Sequence, residues 1–210
     1  PPRGSDLSQA IIFESLCSVL DRRLPIALYQ LPQVTGNEIR CETVCDLAAE
    51  YANFFLFKDT SGQDRVARAG LDLGGVFLVR GAEGDYARWP RSAGGPYDGF
   101  LLSTANVFAP QFSALLDSLS CGQNDKAAEL SARVERVVKE TFGMVAGFSA
   151  GNPFTNANKV LDHVMAYGAA ALDREPPLLY TGVRLPAEFV RQALDLLRSA
   201  RLLPTCGYLD

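Results

Sequence analysis

Short apolar runs alternate with helical stretches through the first half of this chain, and that alternation dictates a parallel α/β architecture. The runs are Pro25-Ile26-Ala27-Leu28-Tyr29-Gln30-Leu31-Pro32, Asn53-Phe54-Phe55-Leu56-Phe57-Lys58, Val76-Phe77-Leu78-Val79 and Gly99-Phe100-Leu101-Leu102-Ser103. Ser5 and Asp6 open a helix whose Ile12, Leu16, Val19 and Leu20 recur at helical spacing. A second helix is expected near 40–51 and a third from about Pro110. From Asn124 onward the strand pattern stops. Ala127, Leu130, Val134 and Val137 form one helical stripe, Val160, Val164 and Tyr167 a second, and Val190, Leu194 and Leu197 a third. The expected organisation is an α/β part over 1–122 and a helical extension over 123–210, with joints at 151–153 and 176–186.

The second run ends on a lysine and is followed at once by the turn sequence Asp59-Thr60-Ser61-Gly62. That places an amine at the mouth of a strand. Only a neutral amine attacks a carbonyl, and desolvation is what disfavours the ammonium form. Plain alternation puts Phe54, Leu56 and Lys58 on one face and Phe55 and Phe57 on the other, which predicts burial on both faces. The first run ends in the same way with Tyr29, one strand-helix unit earlier. A phenol beside an amine is the arrangement expected of nucleophile and proton carrier, and the pair points to Schiff-base chemistry.

Composition narrows the alternatives. A chain of 210 residues with 48% hydrophobic and 21% charged residues is ordinary for a globular protein. A net charge of -4 and scattered Lys and Arg argue against a nucleic-acid surface. No apolar run approaches the roughly 18 residues of a membrane span. The five cysteines, Cys17, Cys41, Cys45, Cys121 and Cys206, form no tight framework and fit a reducing compartment, so the expected location is the cytoplasm. Cys41 and Cys45 with the single His163 cannot complete a four-ligand metal site, so no metal is expected.

Taken together, Tyr29 in Leu28-Tyr29-Gln30-Leu31-Pro32 with Thr35-Gly36, Lys58 in Phe57-Lys58-Asp59-Thr60-Ser61-Gly62, Gly81 after the third run, and Gly99 through Asn106 resemble the dihydrodipicolinate synthase and N-acetylneuraminate lyase family. The resemblance implies a (β/α)8 TIM barrel followed by a C-terminal helical extension. It implies that Lys58 forms an imine with the 2-oxo group of pyruvate or a related acid, and that Tyr29 relays protons there. It also implies that Gly81, Leu101 and Thr35 contribute to substrate binding, that no cofactor is required, and that the protein is a homo-oligomer, a tetramer or dimer. Sites on such barrels lie at the C-terminal ends of the strands, where both runs end.

The resemblance begins at the end of the fourth barrel strand, so the expected content is strands 5 to 8, with the first half absent or supplied separately. The family's carboxylate-binding loop after its second strand belongs to that half. Val34 stands where lysine-pathway synthases place an arginine that grips the second substrate, and valine cannot make a bidentate ion pair. Gln30 follows the tyrosine where asparagine is common. The expected activity is therefore an aldolase, lyase or dehydratase acting on a 2-oxo acid or sugar acid, rather than dihydrodipicolinate synthesis. Arg80 is either a replacement cation or a solvated or ion-paired surface arginine. A noncatalytic paralogue or assembly subunit of the same fold is the competing reading.

Overall fold

A computed structural model describes residues 1–209. The chain divides into two compact units. One comprises 1–82 and 88–102, the other 83–87 and 103 onward.

The first unit is built on four parallel strands in sequential order: β1 (Ile26–Gln30), β2 (Phe54–Asp59), β3 (Phe77–Arg80) and β4 (Gly99–Phe100). Helix α1 (Gln9–Leu20) precedes β1, and Ser8 caps it, its side chain accepting from the Ile11 backbone N–H. The short α2 (Pro32–Thr35) and then α3 (Cys41–Glu50) link β1 to β2, and the short α4 (Arg65–Arg68) follows β2. Proline opens α2, where its missing N–H costs nothing, and Gly36 closes it with φ 74°.

Leu28, Phe57 and Leu78 from the sheet pack with Ile12, Leu16 and Leu20 of α1 and Val44 and Leu47 of α3. Among the described residues only this helix-facing side of the sheet holds a buried core, contrary to the expectation of two covered faces. On the other side Tyr29, Phe77 and Leu101 remain exposed. The expected grouping of Phe54 with Lys58 also fails, for a local reason. Ile26 pairs with Phe54 but Ala27 pairs with Leu56, so Phe55 is an extra residue in a bulge. The bulge turns Phe54 onto the core side, where its ring meets Phe57 edge-on at 6.4 Å.

The second unit is helical. Helix α5 (Ala105–Ser120) starts a turn before the expected Pro110, because Pro110 sits inside it behind a kink at Phe108. Then come α6 (Asn124–Val145), α7 (Pro153–Tyr167) and α8 (Ala187–Ser199), which carry the three stripes read from the sequence. Val134, Val137, Val160, Val164, Val190, Leu194 and Leu197 are all buried. Asn152 caps α7 by accepting from Phe154 and Thr155 N–H. Among the described residues no helix is long and apolar enough to cross a membrane.

Candidate active site

The strand register sets the candidate residues in rows. Tyr29 is level with Lys58, Lys58 with Val79, and Val79 with Gly99. Residues level with one another on adjacent strands project to the same face, and so do residues two apart on one strand. The next row toward the C-terminal ends is therefore Leu31, Thr60, Gly81 and Leu101. Backbone bonds hold it in step: Thr60 N–H donates to Gln30 O at 2.9 Å, Gly81 N–H to Asp59 O at 2.7 Å, and Leu101 N–H to Arg80 O at 2.9 Å.

Lys58 Nζ lies over the Tyr29 ring, 4.2 Å from its centroid. Lys58 is half-buried and Tyr29 is 40% exposed, so the pair faces an open mouth rather than a closed apolar pocket. The face of an aromatic ring attracts an ammonium group and gives a neutral amine an apolar wall. The contact holds the Lys58 amine itself against the ring.

Gly81 and Leu101 stand in the row above this pair. A Cβ at Gly81 would lie 2.0 Å from Thr60 Oγ1 and 2.6 Å from Lys58 Cε, so a larger residue there would push aside the Thr60 hydroxyl and the outer lysine stem. Thr60 is a residue the sequence reading passed over. Its hydroxyl is buried without a hydrogen-bond partner of its own, two positions beyond Lys58 on the same face. The signal was available, since strand alternation alone aligns it with the lysine. Thr35 lies on α2, where its hydroxyl is 3.2 Å from Leu31 O and 3.0 Å from Asn37 O, which tie the turn to the chain's own carbonyls.

Arg80 is ion-paired, as one of its two readings allowed, but it is buried rather than at the surface and is not a cation at the mouth. It belongs to the opposite row, Gln30, Asp59 and Arg80, which is buried against the helices. Its guanidinium donates to Asp64 Oδ1 at 2.9 Å and Oδ2 at 3.3 Å and to Ala82 O at 2.7 Å, and it stacks on Trp89 at 4.4 Å. Tyr97 Oη also donates to Asp64 Oδ1, at 2.7 Å. Burial pushes the Tyr97 phenol well above its ordinary range, and the nearby carboxylates of Asp59 and Asp64 add to the effect. Gln30 is used structurally, its Oε1 accepting from Ile39 N–H at 2.8 Å. Val34 is exposed on α2 and offers only hydrocarbon.

Within the helical unit Glu83 gathers three hydroxyls: Thr104 at 2.7 Å, Tyr86 at 2.9 Å and Ser103 at 3.4 Å. Burial raises its carboxyl above the ordinary value, and the hydrogen bonds hold that rise back. A cavity of about 450 Å³ is lined in this unit by Ser103, Asn106, Thr155, Asn158, Lys159 and Asp162, among others. Lys159 Nζ donates to Leu178 O and Asp162 accepts from Tyr208 Oη, so both charges are already engaged there.

A family model described as the dihydrodipicolinate synthetase family matches residues 11–152. The 4-hydroxy-tetrahydrodipicolinate synthase of Geotalea uraniireducens is 29% identical over 119 residues, which is 57% of this chain and 40% of the relative. That of Novosphingobium aromaticivorans is 36% identical over 115 residues, 53% of this chain and 38% of the relative. The chain thus spans about two fifths of the length of these curated relatives. Among solved structures, a prophage protein of the dihydrodipicolinic acid synthase family from E. coli K12, in complex with pyruvate, superimposes with a TM-score of 0.71 at 20% identity over 94% of this chain and 63% of its own. A variant of the Sulfolobus solfataricus 2-keto-3-deoxygluconate aldolase matches with the same TM-score at 17% identity, over 96% of this chain and 62% of its own. At these identities the likeness speaks for the fold alone: a parallel four-stranded portion of a (β/α)8 barrel with its helices.

Proposed function

The chain belongs to the dihydrodipicolinate synthetase family, and from that premise we propose that it is a Schiff-base lyase or aldolase acting on pyruvate or a related 2-oxo acid, with Lys58 as nucleophile. The observation that carries this reading is the Lys58 amine lying against the Tyr29 ring, on the face where Thr60, Gly81 and Leu101 form the next row. Unprotonated Lys58 adds to the 2-oxo carbonyl carbon. Tyr29 passes protons as the carbinolamine loses water, and the product is an iminium. The iminium accepts the electron pair released when a carbon-carbon bond breaks at the neighbouring carbon, or when that carbon loses a proton, giving an enamine; in a dehydration the enamine then expels a hydroxyl group, which leaves with its bonding pair and a proton as water. In the synthetic direction that enamine attacks an aldehyde. The iminium nitrogen supplies the electron sink, so the scheme calls on no metal or organic cofactor.

Gly81 leaves space for the lysine stem and Leu101 supplies an apolar wall for the keto acid. Val34 offers no cation for a second carboxylate, which favours a neutral aldehyde or sugar-acid partner over aspartate semialdehyde. Incubation with pyruvate and borohydride, followed by peptide mass mapping, tests the assignment: a reduced pyruvate adduct is expected on Lys58 and on no other lysine. A folded chain with unmodified Lys58 supports instead a noncatalytic member of the family.

A further inference from the structure

Five arginines come from three stretches of the first unit: Arg65 and Arg68 from α4, Arg80 from the end of β3, and Arg88 and Arg91 from the connection between β3 and β4. Three of them are matched by carboxylates. Arg65 lies 2.9 Å from Glu38, Arg80 2.9 Å from Asp64 and Arg91 2.5 Å from Asp98. Arg68 and Arg88 are exposed and have no ion pair among the described residues, yet both are drawn to one side chain. Their guanidinium carbons lie 5.3 Å and 5.1 Å from the ring centroid of Trp89, which Arg80 also approaches at 4.4 Å. Trp89 is 5% exposed, and its indole N–H is buried without a hydrogen-bond partner. Packing therefore holds the ring, helped by Tyr97 edge-on at 5.9 Å and by the cations around it.

We propose that Arg68 and Arg88 form a binding site for a phosphate group, with Trp89 holding the two guanidiniums in place. Like charges gathered around one ring repel each other, and Asp64 is already engaged by Arg80 and Tyr97. A guanidinium over an aromatic ring keeps its N–H donors in its own plane, so the contact with Trp89 leaves each fork able to grip two oxygens of an anion. At neutral pH a phosphate monoester carries close to two negative charges and three acceptor oxygens, which two forks match. One fork is enough for a carboxylate. Trp89 belongs to the core on the helix-facing side of the sheet, whereas Lys58 opens on the other, so this site is distinct from the proposed keto-acid site. All its parts come from segments flanking β3, which has a strand on each side. A bound phosphate would bridge the segment after the Lys58 strand to the connection before β4.

The sequence contains a single tryptophan, so its emission reports on this site alone. Titration of the full chain with inorganic phosphate at neutral pH and constant ionic strength is expected to give a saturable change in Trp89 emission and a broadened phosphorus-31 resonance, and acetate is expected to give no emission change. Arg68→Gln and Arg88→Gln alter exposed side chains and are each expected to keep the parent's circular dichroism while weakening phosphate binding at least tenfold. Should either fail to fold, Arg68→Lys and Arg88→Lys keep the charge and lose the fork, and the same weakening is expected. Glycerol 3-phosphate distinguishes the sources: binding equal to or tighter than that of inorganic phosphate assigns the site to an ester, and weaker binding to the free ion. Emission and resonance both indifferent to mixing overturn the proposal. So does an acetate response of equal size, or phosphate binding unchanged in the variants. Pyruvate trapping at Lys58 is a separate readout, so the failure of one reading leaves the other standing.

Discussion

Tyr29 and Gly81 act on Lys58 in separable ways. Tyr29→Phe keeps the ring face under the amine and removes the hydroxyl proposed to carry protons. Pyruvate adduct formation is therefore expected to slow by roughly 10²- to 10⁴-fold, the usual worth of a positioned acid-base group, with the lysine still reactive at high pyruvate. Gly81→Ala is a different insult, since a methyl group 2.6 Å from Lys58 Cε displaces the stem itself. A displacement of about 1 Å costs on the order of 100-fold, and here it is expected as a lost Lys58 adduct in a chain of unchanged secondary structure. Glu83 tests the protonation balance of the helical unit. Its folded carboxyl holds its proton more tightly than an ordinary glutamate near 4.5, so its contribution to stability is full below that pH and is lost as pH rises through the raised folded value. The melting temperature of the protein relative to Glu83→Gln is therefore expected to fall across that window, with the difference levelling off above it.

The strands show how neighbouring residues divide labour. Lys58 and Asp59 are consecutive, one at the open mouth and the other buried beneath it beside the Arg80 row. Removing the partner of a buried charge typically costs about 3–5 kcal/mol, so Asp64→Ala is expected to destabilise the chain to urea by that order, because Arg80 and Tyr97 both lose their acceptor. That cost is expected with Lys58 still trapped by pyruvate under folding conditions, which separates scaffold from chemistry. The strand runs and helical stripes were legible in the sequence because each obeys its period. Lys58, Tyr29, Gly81 and Leu101 were legible as strand-end positions. The face shared by Phe54 and Lys58 was misread because nothing in Phe54-Phe55-Leu56-Phe57 announces a bulge. An ion pair for Arg80 was among the foreseen readings but its burial was not, because its partner, Asp64, comes from the turn after β2, where φ is 56°. That ion pair depends on how the chain folds back and not on local pattern. Thr60 was missed although alternation alone reaches it.

Taken whole, the molecule carries a formal charge of -4 and a pI near 5.1 while leaving Phe77, Tyr29 and Leu101 open to water. Apolar patches associate most readily when net charge no longer keeps molecules apart. Turbidity is therefore expected to peak near pH 5.1, and Phe77→Asp is expected to lower that peak. The buried row of Gln30, Asp59 and Arg80 has a further consequence for how the molecule comes together. A strand that slips by one residue exchanges its two faces. In β3 such a slip would strand the Arg80 guanidinium away from Asp64, and in β2 it would drive the Lys58 ammonium into the hydrocarbon between sheet and helices. Both errors carry the penalty of a buried, unmatched charge. The ion pair at the back of the sheet thus favours the register that leaves the Lys58 amine in daylight over its misaligned alternatives.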